Sequence, residues 1–299
     1  MSGPVGPAGT ASGEASDAAP PAMAPAMTPV MAPVLILGAG SDIGRALGRL
    51  WAASGRALIL AGRDAAGLAR DAADLSLRHG VSARAVAWDA RDIAGAPAWF
   101  DALSAMPEAR EAPAMTEARR MPAAPQAPAM PEVVVCLVGA MDPEAARDPL
   151  RLADLVAVNF TGPAAMLAVA ADRLAALSAR TGRATAVVGV GSVAGDRGRA
   201  ANWPYGASKA GLAAALSGLR QEHARSGCLV ITVRPGRVAT RMTEGVAGPA
   251  ALTLSAEAQA RAILRAVERR RPVVVDWRWR LVMGVIGAIP ERVFMRLRF

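Results

Sequence analysis

The chain has 299 residues, of which 53% are hydrophobic and only 4% aromatic, so a core built from it is mostly Ala, Val and Leu. Its formal net charge of +9 comes from arginines spread along the chain with no zinc-finger, basic-zipper or aromatic RNA-binding pattern, which argues against a nucleic-acid partner and for a phosphorylated substrate or an anionic membrane surface. Cys136 and Cys228 lie in apolar runs without metal-ligand spacing, and His79 and His223 stand beside arginines near helix ends; no metal site is expected, and the thiols read as buried in a reducing cytoplasm.

Residues 1–32 are rich in Ala, Pro, Gly, Ser and Met and lack periodicity. They offer too little apolar surface to offset ordering entropy, and they contain no basic segment followed by a continuous apolar one; a disordered tail is expected, not a secretory signal. A strand at 34–37 then runs into Gly38-Ala39-Gly40-Ser41-Asp42-Ile43-Gly44 and a helix at 43–53. Glycines at that point let the backbone turn tightly and bring a helix N-terminus up to a pyrophosphate, which makes Gly38, Ser41, Asp42, Ile43 and Gly44 candidate cofactor contacts.

The second strand, 57–61, ends in Gly62-Arg63, where a carboxylate would bind the ribose diol of NAD. A small residue followed by a guanidinium suits a 2′-phosphate instead and favours NADP over NAD. Asp64 next door is the dissenting feature, unless it caps the helix at 64–79. The strand at 81–88 ends at Asp89, placed either for an adenine amino group or to cap the next helix, at 93–104. Residues 105–131 repeat the composition of the first segment and read as a disordered surface insertion.

Strands at 133–138, 184–190, 229–233 and 273–275 alternate with helices at 150–179, 205–225 and 256–270. Continuous apolar strands between helices imply an α/β fold, a single Rossmann-type doubly wound parallel sheet with helices on both faces, over 33–276.

The chain holds one tyrosine and one lysine, Tyr205 and Lys209. Four residues apart, they project from one helix face. An ammonium beside a phenol favours its ionisation and makes it a proton donor for carbonyl chemistry; arginine differs in reach, hydration and pKa and does not substitute. The bland alternative is two unrelated surface residues.

Together these residues resemble the short-chain dehydrogenase/reductase family. The glycine-rich turn maps to Gly38, Asp42 and Gly44, the helix asparagine to Asn159 and the serine to Ser192, thirteen residues before Tyr205. Pro235-Gly236-Arg237-Val238-Ala239-Thr240 resembles the loop that closes on the nicotinamide carboxamide. The resemblance implies that Tyr205 donates a proton, Ser192 hydrogen-bonds the carbonyl oxygen, Lys209 lowers the phenol pKa and holds the ribose, and Asn159 supports a water that reprotonates Lys209. It also implies cofactor contacts at Gly139, Tyr205, Lys209, Pro235, Gly236, Val238 and Thr240. Two departures stand out. Asp42 replaces a glycine near the phosphates, where it could accept N–H bonds at the helix start, and Cys136-Leu137-Val138-Gly139 replaces the usual Asn-Asn-Ala-Gly.

Beyond 276 the chain reads Trp277-Arg278-Trp279-Arg280, an uncharged run at 281–289, and a basic, apolar end. Nine residues cannot cross a bilayer, but tryptophans among arginines suit its interface, on the inner face of a cytoplasmic membrane; packing on the domain or a second subunit of a homo-oligomer is the alternative. This tail and residues 191–199 resemble the branch of polyprenylphosphoryl-sugar reductases. That implies a lipid-linked keto-sugar substrate, a flavoenzyme oxidase partner, and Asp196, Arg197 and Arg199 near the sugar or its phosphate. A soluble ketoreductase of acyl or small secondary ketones and a non-catalytic NADP-binding sensor or scaffold remain competing readings. A serine hydrolase lacks support, since Ser192 has no Gly-x-Ser-x-Gly setting.

Overall fold

A computed structural model describes Gly3 and residues 32–104, 130–245 and 248–297; the expected tail at 1–32 and insertion at 105–131 lie almost wholly outside the described residues. Seven parallel strands form one sheet in the order β3-β2-β1-β4-β5-β6-β9. They are β1 (Val34–Leu37), β2 (Leu58–Gly62), β3 (Ala83–Ala87), β4 (Val133–Cys136), β5 (Thr185–Val190), β6 (Cys228–Val233) and β9 (Val273–Val274). The chain builds outward from β1 to β3, then returns to place β4 on the other side of β1. A crevice opens at that reversal, outside the carboxyl ends of the strands.

Burial on both faces explains why the central strands are mostly apolar. Val34 and Ile36 of β1 meet one core with Leu47 and Trp51 of α1 (Asp42–Ala53), Leu68 of α2 (Ala65–His79) and Ile263 of α7 (Ala256–Glu268). Leu35 and Leu37 meet the opposite core with Phe100 of α3 (Ala96–Ala102), Met166 and Leu174 of α5 (Gly162–Thr181) and Leu216 of α6 (Trp203–Glu222). The doubly wound α/β sheet inferred from the sequence is the fold observed.

The helix expected at 150–179 is α4 (Pro149–Val156), a π-helical turn at Ala157–Thr161 and α5. It is long and apolar enough to cross a membrane by length and composition, but Met166, Leu167, Ala170 and Leu174 are buried against the sheet. The helix expected at 93–104 starts later, because Asp92 caps a turn at Gly95 and Pro97 enters at the first helical turn.

At Gly162 there is no space for a Cβ, which would strike the Ala90 carbonyl after β3. Gly162→Ala is expected to cost about 1–3 kcal/mol of overpacking and lower the thermal midpoint by several degrees. An unchanged midpoint by calorimetry would show that the Ala90 loop yields.

Short segments not anticipated complete the fold. β7 (Arg237–Ala239) and β8 (Thr253–Ser255) form a separate parallel pair. After β9 come α8 (Trp277–Ala288) and the short α9 (Glu291–Phe294).

Candidate active site

The turn after β1 is built by glycine geometry. Gly38 has φ of 81°, a region that penalises a Cβ, and a Cβ at Gly44 would lie 2.7 Å from the Ala39 carbonyl oxygen. Ser41 caps α1, its Oγ accepting the Gly44 N–H at 3.1 Å and donating to the Gly38 carbonyl at 2.8 Å. Asp42 does not accept N–H groups of its own helix start. It accepts the Arg241 backbone N–H at 2.8 Å and Arg241 Nε at 3.0 Å, while Arg241 Nη2 donates to the Gly40 carbonyl at 2.7 Å. The carboxylate that looked out of place near phosphates is neutralised by an arginine from the segment after β7.

Two adjoining cavities run along the carboxyl ends of the strands and share Ser41, Leu137, Gly139, Arg241 and Met242. The far one, about 390 Å³, is lined by Gly38, Arg45, Gly62, Arg63 and Asp89. Asp89 accepts the Arg91 N–H at 3.0 Å, so it caps a turn and not the next helix; Asp64 caps α2 through the Gly67 N–H at 2.9 Å.

The near cavity, about 300 Å³, brings together Ser192, Tyr205, Lys209 and Gly139 with Ser41, Asp42 and Ile43 from the glycine turn. Pro235, Gly236, Val238 and Thr240 form its other wall. Of the catalytic and cofactor residues proposed from sequence, Gly44 and Asn159 line neither cavity. Sequence reasoning missed Arg45, Arg241 and Met242. Arg241 was legible only as the residue after the Pro235–Thr240 motif, since its partner lies 199 positions away.

Lys209 is 3% exposed and donates from Nζ to the Val138 and Val190 carbonyls, each at 3.2 Å. Burial lowers its ammonium to about 8. A Cβ on Gly139 would sit 2.9 Å from Nζ, so a side chain there would press on the tip of the lysine. The half-buried Tyr205 is one turn away, with Nζ 6.0 Å from its ring centroid. Burial pushes the phenol up, and a hydrogen bond with Ser192 opposes the rise. Burial is the largest influence on the phenol, and the Lys209 N–H groups are directed at two carbonyls.

Ser192 Oγ also accepts the Ala194 N–H at 3.1 Å, so it both ends β5 and meets the phenol. Asn159 is fully buried in the π-helical turn. Its Oδ1 accepts the Ala140 N–H at 2.7 Å, and its Nδ2 donates to the Ala140 carbonyl at 2.9 Å and to Ser208 Oγ at 3.1 Å. Ser208 in turn donates to the Tyr205 carbonyl at 2.8 Å. The asparagine therefore ties the strand end after β4 to α6, and its amide makes no hydrogen bond with Lys209.

The segment after Ser192 is not placed as the sugar-phosphate reading expected. Asp196 pairs with Arg234 at 3.1 Å, and neither Arg197 nor Arg199 lines the cleft. Arg197 Nη1 donates to the Ile286 and Ile289 carbonyls at 2.6 and 2.7 Å, Nη2 pairs with Glu291, and the guanidinium stacks on Phe294 at 3.7 Å. Carbonyls left open at the end of α8 draw the cation there. Trp279 packs so closely on Gly236 that no Cβ fits, and its indole donates to the Leu252 carbonyl at 2.8 Å. The tail thus packs on the domain through one face. Cys136 and Cys228 are buried free thiols, Cys136 pushed up to about 11 by burial, and no metal-binding cluster exists among the described residues.

The family model for short chain dehydrogenases matches residues 136–249. An uncharacterized oxidoreductase of Mycobacterium tuberculosis is 34% identical over 264 residues, covering 88% of this chain and 96% of that protein. The chain belongs to the short-chain dehydrogenase family. A further oxidoreductase, from Streptomyces coelicolor, is 34% identical over 270 residues and 94% of its own length. Among solved structures, this short-chain dehydrogenase is similar in fold to one from Sphingobium yanoikuyae in complex with NADPH, with TM-score 0.64, 23% identity, and 87% of this chain and 97% of that one covered. One from Burkholderia cenocepacia in complex with NADP superposes with TM-score 0.67 at 18% identity, over 89% and 97%.

Proposed function

We propose that this short-chain dehydrogenase reduces a ketone to a secondary alcohol with NADPH, Tyr205 giving the proton. The observation that carries the reading is the convergence of the phenol, Ser192 and a buried Lys209 in one cavity that continues into a second with arginines on its rim. The two cavities fit a dinucleotide: glycines leave the turn after β1 open, Arg241 offsets the Asp42 charge, and Arg45 and Arg63 line the far end. Gly38 and Ser41 would hold the pyrophosphate, Asp89 the adenine, Lys209 the ribose, and Pro235, Gly236, Val238 and Thr240 the nicotinamide. When bound, the nicotinamide supplies the hydride.

The residues of the chain do the rest. A phenol raised by burial stays protonated at neutral pH, so Tyr205 Oη holds the proton an alkoxide needs. Ser192 orients that hydroxyl and stabilises negative charge on the carbonyl oxygen. Lys209, protonated below about 8, sets a positive field beside the phenol. Asn159 is a positioning residue, holding Ala140 and, through Ser208, the start of α6.

The substrate is read as a ketone with apolar flanks, because Ile43, Val190 and Met242 line the near cavity. A keto-sugar on a polyprenyl phosphate, with its flavoenzyme partner, is the narrower form; it loses the support of Asp196 and Arg197, which pair elsewhere. Two free buried thiols support a reducing cytoplasm. The test is NADPH oxidation with purified protein and a panel of bulky ketones, keto-acyl thioesters and extracted polyprenyl-phosphate lipids, with product mass. A product two hydrogens heavier supports the reading; NADPH bound without any ketone reduced would point to the sensor alternative.

Arg63→Ala is expected to weaken NADPH by about tenfold to a hundredfold, the range of a lost charge-assisted hydrogen bond, and to leave NADH unchanged. Fluorescence titration checks this, and equal losses for both nucleotides would remove Arg63 from the 2′-phosphate. The pH profile of ketone reduction follows from Lys209. As pH rises through about 8 the ammonium is lost, so kcat falls on the alkaline side. A rate flat from neutrality into the tyrosine range would mean that this charge is not needed.

A further inference from the structure

Helix α8 is apolar on two opposite faces. The inner face is Trp279 and Met283, packed on the domain beside Gly236. On the outer face Trp277, Leu281 and Val285 recur every four residues, one above another, and are 68%, 63% and 68% exposed. Val293 and Met295, just beyond, are exposed as well. A helix that covers one face and still presents tryptophan, leucine and valine to water has an outer surface suited to a second apolar phase.

Beside that face lies a cavity of about 160 Å³ lined by Arg265, Arg269, Arg271 and Arg280, with no carboxylate in its wall. Among the described residues none of these four guanidiniums has a side-chain hydrogen bond or ion pair. Most other arginines that line a cleft or anchor a helix here are paired, as Arg241 is with Asp42 and Arg278 with Asp276. Arg280 belongs to both features, since it stands three residues after Trp277 on α8 and one residue before Leu281. Four unneutralised cations and a row of apolar side chains therefore form one continuous surface.

We propose that this surface seats on an anionic lipid bilayer, with Trp277, Leu281 and Val285 entering the headgroup boundary and the four arginines meeting lipid phosphates. The geometry suits a helix lying in the interface: α8 has 12 residues, about 18 Å of helix against roughly 30 Å of hydrocarbon, so it lies on the membrane and does not span it. A second copy of the chain fits less well. A two-fold contact through α8 would bring its flanking arginines toward each other, and three apolar side chains fall far short of the roughly 20–30 residues a side of a stable interface. The inner face reaches Gly236 in the wall of the near cavity, so membrane seating would leave the cleft one helix away from the lipid.

Sedimentation of the full chain with vesicles of phosphatidylcholine, with and without phosphatidylglycerol, tests the surface without reference to turnover. Binding is expected only when phosphatidylglycerol is present, and to weaken with salt. Each of Arg269→Ala and Arg280→Ala should lower vesicle affinity about fivefold, and Trp277→Ser with Leu281→Ser should abolish binding. All four positions are exposed and outside the cleft, so NADPH oxidation with any soluble ketone the protein accepts should be unchanged. Equal binding to neutral vesicles, unchanged binding by the arginine variants, or a concentration-dependent dimer that the Trp277→Ser and Leu281→Ser pair disrupts without any vesicle binding would each overturn the proposal. A protein that binds vesicles but reduces no ketone would overturn only the enzymatic reading.

Discussion

Tyr205→Phe should abolish ketone reduction almost completely, by about 10²–10⁴-fold in kcat, while NADPH still binds within a few-fold. The reasoning starts from the phenol's surroundings. Its hydroxyl meets Ser192, and burial holds it in the neutral, proton-bearing form. Phenylalanine keeps the ring and its packing but has nothing to give an alkoxide. The lost Ser192 hydrogen bond should cost about 1 kcal/mol, a small shift in thermal midpoint, so the variant folds. Ser192→Ala, measured beside it, should be impaired less, since the proton donor remains while its orienting partner and one hydrogen bond to the carbonyl oxygen are gone. Stopped-flow nucleotide oxidation on a reducible ketone measures both. Turnover within threefold of the parent in Tyr205→Phe would require another proton donor, and among residues lining the near cavity Lys209 would be the one to test.

Local pattern carried most of the framework. Strands buried on both faces are mostly apolar, so β1, β4, β5 and β6 stood out, and the glycine turn marked where α1 begins. Spacing along one helix was enough to set Tyr205 beside Lys209. What sequence could not supply is pairing across long separations. Asp42 looked like an intruder among phosphate ligands because its partner, Arg241, is remote in the chain. Arg197 looked free to meet a substrate, but it is drawn to the open carbonyls at the end of α8. The two-stranded β7–β8 pair escaped notice because three-residue strands carry no periodicity.

Lys209→Arg should be nearly as damaging as loss of the tyrosine, although charge is kept. The lysine occupies a buried channel in which Nζ reaches two carbonyls at 3.2 Å and lies close beside Gly139. A guanidinium is wider, has five N–H donors to satisfy, and cannot shed its proton to ease burial. Forcing it into this space should displace the strand end at Gly139 and Ala140, which Asn159 fixes from the other side. The expected outcome is a loss of at least about a hundredfold in kcat/KM with weaker NADPH binding and a lower thermal midpoint, from roughly 1–3 kcal/mol of overpacking. Lys209→Met separates charge from fit. It fills similar length without an ammonium, so it should fold, bind NADPH less tightly and lose the alkaline limb set near pH 8 along with most of its turnover. If arginine supported near-normal rates while methionine did not, positive charge alone would be what the site needs, and the tight channel beside Gly139 would have no part in catalysis.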